Sequence, residues 1–242
     1  MISDQQLASR IDALPTVPEA LPRISTLLLD PSASASDFEA VVKTDPALTA
    51  NLLRVANSAF HRGLTSISSV GLAVARVGFH RVYEVVSLVS LKRALPPRLP
   101  GYGLDSAEFW RHCVAVAVLS ERIARLAGVP ESGHAYTAGL LHDVGKLVVG
   151  AFGETEGGPP EGALDGLASE QRYLGTDHAE IGQDIAFRWN FTRPVADAAR
   201  WHHAPLSEPG ASGKRVQIVV HVANCLAHRF GYGPKASHRG LP

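Results

Sequence analysis

Apolar residues recur every three or four positions along most of this chain, and strict alternation of apolar and polar residues is rare. Leu48, Leu52 and Val55 form one such stripe, and a longer apolar stretch runs over residues 70–95 with an interruption at Gly78. A spacing of three to four residues places side chains on one face of an α-helix, whereas strands require a spacing of two. The sequence therefore predicts an all-α protein.

Short polar residues that can cap a helix N-terminus stand before several of these stripes. They are Ser36 with Glu39, Asp45 before Pro46, Asp105 with Glu108, and Asp177 with Glu180. Each of these signals predicts the first turn of a separate helix.

A stretch rich in proline and glycine, LPPRLPGYG over residues 95–103, divides the helical pattern into two halves. Because proline cannot continue a helix interior, we expect this stretch to be a linker. We predict an N-terminal helical subdomain over residues 1–98 that packs on a second helical bundle over residues 99–230. Residues 231–242, GYGPKASHRGLP, lack periodicity and apolar mass and are predicted to be a frayed or truncated tail.

Charge and cysteine content exclude several classes of protein. Lys and Arg together number 23, as do Asp and Glu, so no net charge draws the chain toward nucleic acid or an anionic membrane. The longest apolar runs fall short of the roughly 20 residues that a membrane span requires. Two cysteines build neither a disulfide scaffold nor a thiolate zinc site, and with the polar start MISDQQ they indicate a cytoplasmic protein without a signal peptide.

The chain has 11 histidines, and its second half places several of them in apolar segments that we interpret as helices. The candidate metal ligands are His112, His142, Asp143, His178, His202 and His203. Lys146 lies one helical turn beyond His142 in TAGLLHDVGKLVV and therefore shares its face. Each segment would place its imidazole on or near the buried side of the helix.

Imidazole nitrogens together with one carboxylate suit a divalent transition metal such as iron, manganese, zinc, cobalt or nickel. Such a metal would lower the pKa of a bound water from 15.7 to about 7. Because the candidate ligands outnumber the positions of one tetrahedral site, we expect one or two ions. Lys146 is a cation rather than a ligand and would favour a phosphate oxygen at the site.

Each of these residues also has a purely structural interpretation. A single histidine on an apolar helix is more often a hydrogen-bonded core residue than a metal ligand. The pair His202-His203 after Trp201 is also typical of a helix C-terminus, where imidazolium is favoured. The ordered set, rather than any one member, favours a metal site, and a polar core without metal remains the alternative.

The order of these segments resembles the HD superfamily of metal-dependent phosphohydrolases, named for a His-Asp pair. It resembles more closely the HDOD branch of that superfamily, the output domain of bacterial signalling proteins. In the first half, the HDOD landmarks are similar to LPTVPEALPRI, DPALTANLLRVANSAF and ISSVGLAVARVG. The second half continues in the family's order with FWRHCVAVA, AGLLHDVGKLVV, DHAEIGQDIAFRW and WHH. The resemblance implies that the second half is an HD-like helical bundle.

The same resemblance implies roles for individual residues. It gives metal-ligand positions to His112, His142, Asp143, His178, His202 and His203. It gives Lys146 the position of a lysine that faces phosphate. The segment HDVGK, and His178 followed by Gly182, also resemble the related HD-GYP cyclic-di-GMP phosphodiesterases.

Two departures from the catalytic pattern count against that phosphodiesterase activity. Ala204-Pro205 follow the histidine pair, where HD-GYP proteins carry a glutamate and a Gly-Tyr-Pro loop. Asn224 stands in HVANCLAH where catalytic HD proteins carry a second aspartate. Because a neutral amide is a weaker ligand than a carboxylate, one metal position should lose affinity.

HDOD proteins resemble HD domains that serve regulation. We therefore expect a non-catalytic signal-transduction module with a partly retained HD-type metal site, which binds a signalling protein partner or a nucleotide ligand. The alternative is a metal-dependent phosphohydrolase or phosphodiesterase acting on a nucleotide or cyclic dinucleotide, in which Asp143 and Lys146 would be catalytic. A third hypothesis is a metal that only holds the fold together.

Overall fold

α-Helices dominate the computed structural model, which describes residues 4–12, 20–58, 66–129, 132–154, 158–207 and 214–233. The predicted all-α class is thereby confirmed. The chain divides into two compact units, one formed by residues 16–94 and a larger one formed by residues 1–15 together with residues 95–242. The first helix, α1 (Asp4–Asp12), belongs to the larger unit.

The smaller unit is built from five described helices. They are α2 (Ala20–Leu29), α3 (Ala35–Val42), α4 (Pro46–Ala56), α5 (Val70–Val77) and α6 (Phe79–Ala94). Gly78 separates α5 from α6 with a φ of 81°, a left-handed value that glycine adopts without steric cost. The interruption of the apolar stretch at this glycine therefore marks a helix boundary, as the sequence predicts.

A short antiparallel ribbon occupies the segment that the sequence predicted to be a linker. Strand β1 (Arg98–Leu99) pairs with β2 (Leu104–Asp105), with Leu99 opposite Leu104. One 3₁₀ turn, Pro100–Tyr102, joins the two strands. The proline-rich segment is thus ordered, and it buries Tyr102.

The remaining helices belong to the larger unit. They are α7 (Ser106–Leu126), α8 (Ser132–Leu141), α9 (Lys146–Ala151), α10 (Leu167–Leu174), α11 (His178–Arg188), α12 (Arg193–Trp201) and α13 (Lys214–Arg229). Helix α7 packs against α8 and α13, and α12 packs against α8, α11 and α13. These packed helices bring together the segments that carry the candidate ligands.

Three of the four predicted helix start signals are confirmed as caps. Asp45 accepts hydrogen bonds from the backbone of α4, Asp105 from that of α7, and Asp177 from that of α11. The fourth prediction was displaced by two residues, because α3 begins after Ser34, whose backbone N–H donates to Asp37 at 2.8 Å. The pair Ser34 and Asp37 repeats the spacing of Ser36 and Glu39, so the sequence signal was ambiguous.

The predicted boundary at residues 98 and 99 falls within the ribbon strand β1, and the smaller unit ends at residue 94. Of the predicted tail, residues 234–242 lie outside the described residues. The packing of one predicted subdomain on the other stays a prediction. Among the described helices, none is long and apolar enough to cross a membrane.

Gly145, in the turn between α8 and α9, makes a close approach to the start of α11. A Cβ atom at position 145 would lie 2.8 Å from the backbone nitrogen of Gly182 and closer still to the carbonyl oxygen of His178. Because both are backbone atoms, neither can rotate away. A Cβ at position 182 would instead meet the Ala199 Cβ at 3.4 Å, an ordinary contact.

We therefore predict that Gly145→Ala lowers the free energy of unfolding by roughly 1–3 kcal/mol, the usual cost of overpacking. The matched variant Gly182→Ala should leave stability unchanged or raise it by up to about 1 kcal/mol, because alanine favours a helix interior. Urea unfolding of both variants measures the difference. Equal stabilities would contradict the proposed contact.

Candidate metal centre

The structure places every predicted site residue at a helix end or on a helix of the larger unit. His112 lies within α7, His142 and Asp143 follow α8, Lys146 begins α9, His178 begins α11, and His202 and His203 follow α12. The interpretation of TAGLLHDVGKLVV as one helix was wrong, because α8 ends at Leu141 and α9 begins at Lys146. The intervening turn is closed by a 2.9 Å hydrogen bond from the Lys146 N–H to the Asp143 carbonyl.

The Asp143 carboxylate lies at the centre of these residues. Its Oδ2 atom is 3.5 Å from the Nε2 of His112 and 3.3 Å from the Nε2 of His142. Its Oδ1 atom is 3.2 Å from the Nε2 of His178 and 3.5 Å from the Nε2 of His202. All five side chains are buried, so imidazoles from four segments meet at one carboxylate.

Two sets of potential ligands share Asp143. One contains Asp143, His178, His202 and His203, and the other contains His112, His142 and Asp143. Within each set, one ligand atom from every residue lies within 4.8 Å of the others. His203 is exposed, and its Nε2 lies 3.0 Å from the Nε2 of His178 in the first set.

Backbone hydrogen bonds fix the ring orientation of His142 and His202. The Nδ1 atom of His142 lies 2.8 Å from the Gly139 carbonyl, and that of His202 lies 2.8 Å from the Ala199 carbonyl. A carbonyl can only accept, so Nδ1 must carry the proton in both rings. Each Nε2 atom therefore presents a lone pair toward Asp143.

Burial keeps these two imidazoles neutral. It lowers the pKa of His142, and it lowers the pKa of His202 to about 4. Burial alone would raise the pKa of Asp143, but the nearby His142, once it is protonated at low pH, and Lys146 outweigh it and hold that pKa well below its usual range. The ionised carboxylate of Asp143 thus faces the Nε2 lone pairs of two neutral imidazoles.

The carboxylate and the two Nε2 lone pairs repel each other unless a cation lies among them. Several atoms around Asp143 have no hydrogen-bond partner among the described residues. They are Asp143 Oδ1, His142 Nε2, His202 Nε2 and both ring nitrogens of His112. Buried polar atoms are normally paired, so their shared orphan state fits a bound metal ion.

A second layer of residues supports His178. Glu170, which is fully buried, accepts from the His178 backbone N–H at 2.7 Å and from its Nδ1 at 2.8 Å. The Tyr102 hydroxyl donates to the other oxygen of Glu170 at 2.8 Å. Metal-binding histidines commonly donate their second ring nitrogen to a carboxylate in this way. Sequence reasoning missed both Glu170 and Tyr102, and no local spacing marks either of them.

Lys146 lies on the open side of the centre. Its ammonium is 2.7 Å from Asp143 Oδ2 and 5.7 Å from the centre of the Tyr102 ring. Lys146 and Tyr102 line a cavity of about 120 Å³. Its polar lining residues include Tyr102, Lys146, Asp165, Glu170, His178, His203 and His228. The centre therefore has a small opening lined by both cations and carboxylates.

The chain is similar to known proteins over most of its length. A model of the HDOD domain matches residues 14–205. An uncharacterized protein of Treponema pallidum (strain Nichols) is 28% identical over 208 residues, which cover 81% of this chain and 39% of that protein. The chain spans well under half the length of the curated relatives it matches.

Solved structures share the fold. An HDOD domain protein of unknown function from Geobacter sulfurreducens is 26% identical with a TM-score of 0.79, covering 98% of this chain and 80% of that one. A proposed phosphohydrolase from Shewanella amazonensis SB2B is 25% identical with a TM-score of 0.72, covering 96% and 84%. A proposed signal transduction protein from Marinobacter aquaeolei VT8 is 25% identical with a TM-score of 0.71, covering 98% and 57%.

We predict that Glu170→Gln weakens metal binding by about 10- to 100-fold, the usual effect of losing a carboxylate that orients a ligand histidine. Glu161→Gln is the matched control, because Glu161 pairs with Arg98 on the surface. Calorimetric titration with zinc or cobalt measures both affinities. Equal affinities for the two variants would show that Glu170 does not orient a ligand.

His202 should make the stability of the metal-free protein depend on pH. Its pKa is about 4 when folded and 6.5 when unfolded, so between these values the unfolded chain binds more protons. The free energy of unfolding should fall by roughly 3 kcal/mol as the pH drops through this interval. His142 acts in the same direction. His178 acts above pH 6.5 instead, where stability should fall as the pH rises, because the nearby carboxylates of Asp143 and Glu170 outweigh burial and raise its pKa.

Urea unfolding in the presence of a chelator at a series of pH values measures this dependence. The His202→Asn variant should show a shallower decline below pH 6.5, because the buried group that titrates is gone. The same decline in both proteins would contradict the assignment.

Proposed function

The chain belongs to the HDOD family, and from this premise we propose that it is a signal-transduction module whose HD-type centre binds divalent transition metal without turning over a substrate. The arrangement around Asp143 carries the metal-binding part of the proposal. His112, His142, Asp143, His178, His202 and His203 would hold one or two ions of iron, manganese, zinc, cobalt or nickel. When bound, such an ion supplies Lewis acidity toward a phosphoryl oxygen.

The amide side chain at position 224 of α13 supports a non-catalytic role. Asn224 is 9% exposed, and its Oδ1 atom has no hydrogen-bond partner among the described residues. An amide at this buried position adds no negative charge to the centre. Asp143 therefore remains the one carboxylate in the two ligand sets of the described chain, and two divalent ions would be less neutralised than with a second carboxylate.

The size of the opening supports the same conclusion. Sites for small molecules commonly enclose about 300–1,000 Å³, whereas the cavity beside Lys146 has about 120 Å³. That volume suits a phosphate group better than a whole nucleotide. We propose that the ligand is a signalling protein partner, or a nucleotide that inserts only its phosphate. The similarity to the proposed signal transduction protein of Marinobacter aquaeolei supports a signalling role.

A metal-dependent phosphohydrolase or phosphodiesterase is the second candidate, and the position of Lys146 favours it. The Lys146 ammonium stands at the opening and contacts Asp143 at 2.7 Å, so it would stabilise negative charge on a phosphoryl group that enters the cavity. His203 lies on the same rim. The similarity to the proposed phosphohydrolase of Shewanella amazonensis supports this candidate.

Metal content and hydrolysis of bis(p-nitrophenyl) phosphate, measured on the same preparation, test the proposal. We expect bound transition metal in protein purified without added metal, and hydrolysis no faster than that of the Asp143→Ala variant. That variant should contain no metal. Asp184→Ala, which changes an exposed aspartate of α11, is the control and should keep its metal.

Two results would overturn the proposal. A preparation that neither contains metal nor takes it up would exclude the metal centre. Hydrolysis that depends on added manganese, iron or cobalt and disappears in Asp143→Ala, but not in Asp184→Ala, would establish the phosphohydrolase instead.

A further inference from the structure

The two ligand sets that share Asp143 are unequal. The set on the Oδ1 side has four protein donors, whereas the set on the Oδ2 side has three, from His112, His142 and Asp143. Transition metals in proteins usually take at least four ligands, and a site that binds strongly without substrate draws most of them from side chains. If the proposed centre holds two ions, the ion beside His112 has three protein ligands and lacks a fourth.

Helix α13 borders this side of the centre. His221, Asn224 and His228 are spaced by three and four residues, so they lie along one face of the helix. His221 is already engaged, because its Nδ1 donates to the His202 carbonyl at 2.7 Å. Asn224 and His228 follow His221 along that face, and Gln217 precedes it.

The His228 ring lies beside His112. Their ring centres are 4.8 Å apart. Neighbouring rings within the centre are separated by similar distances, from 4.0 Å for His202 and His203 to 5.5 Å for His178 and His202. His228 also lines the cavity that His178 and His203 line. His228 is in neither ligand set, so its ring would have to turn toward His112 to reach an ion bound there.

Ligand chemistry distinguishes His228 from Asn224. Imidazole nitrogen suits zinc, iron, cobalt and nickel, whereas a neutral amide oxygen suits hard cations and binds transition metals weakly. We propose that His228 is the fourth protein ligand of the ion held by His112, His142 and Asp143. The inference rests on the two-ion form of the proposed centre. It assigns to α13 a metal-binding role that its amide at position 224 cannot fill.

Cobalt(II) is the probe that tests this assignment, since its visible absorption reports the number and type of ligands. Wild-type protein freed of metal should bind two cobalt ions per chain. His228→Ala should bind one ion with unchanged affinity and the second at least about tenfold more weakly, with a changed absorption spectrum. His80→Ala, which removes an exposed imidazole of the smaller unit, should bind as the wild type does.

A second variant separates loss of a ligand from loss of structure. Adding Asn224→Asp to His228→Ala places an anionic donor on the same face of α13, so the second ion should bind tightly again. A merely structural role of His228 predicts no such rescue. Far-ultraviolet circular dichroism of each variant checks that the helices persist.

The outcomes distinguish this inference from the proposed function. If wild type binds two ions and His228→Ala binds both with equal affinity, His228 is not a ligand while the metal centre stands. If wild type binds one ion regardless of His228, the inference is wrong as well. If wild type binds no cobalt, the proposed function itself fails.

Discussion

The buried charge of Asp143 is the constraint on which the arrangement of the larger unit depends. An ionised carboxylate that is 1% exposed costs several kcal/mol unless cations or hydrogen bonds compensate it. Lys146 compensates Oδ2, but Oδ1 has no hydrogen-bond partner among the described residues and faces the lone pair of His202. A metal ion on the Oδ1 side would neutralise the carboxylate and satisfy the imidazoles together. Without such an ion, the neutral imidazoles of His142 and His202 leave their Nε2 lone pairs facing that carboxylate.

Ordinary helix-end chemistry produces this geometry. The last carbonyls of a helix lack hydrogen-bond partners within the helix. His142 and His202, which directly follow α8 and α12, each donate Nδ1–H to the carbonyl three residues earlier in the chain. The hydrogen bond that ends the helix therefore also aims Nε2 inward. His178 begins α11 instead, so a side chain, Glu170, supplies the acceptor. A backbone carbonyl in one case and a carboxylate in the other thus accept from Nδ1 and leave Nε2 of each ring facing Asp143.

Sequence patterns predicted the features that depend on near neighbours. Helical periodicity predicted the all-α class, and the caps at Asp45, Asp105 and Asp177 were recognisable because each cap bonds within three residues. Periodicity failed at His142, because an apolar pattern continues through the turn that ends α8. Glu170 and Tyr102 could not be predicted, since 68 residues separate these hydrogen-bonded partners and Tyr102 lies in a segment whose prolines indicate only a linker. Residues such as these, which hydrogen-bond to a ligand from behind, are positioned by tertiary packing and not by local sequence spacing.

Nitrogen-15 NMR of the histidine rings tests the central claim most directly, because it distinguishes a metal site from a hydrogen-bonded polar core. At neutral pH, metal-free protein should show His142 and His202 protonated on Nδ1 alone, and adding zinc should shift the Nε2 resonances of both rings. Protons found on Nε2 and donated to Asp143, together with resonances that zinc leaves unchanged, would contradict the account.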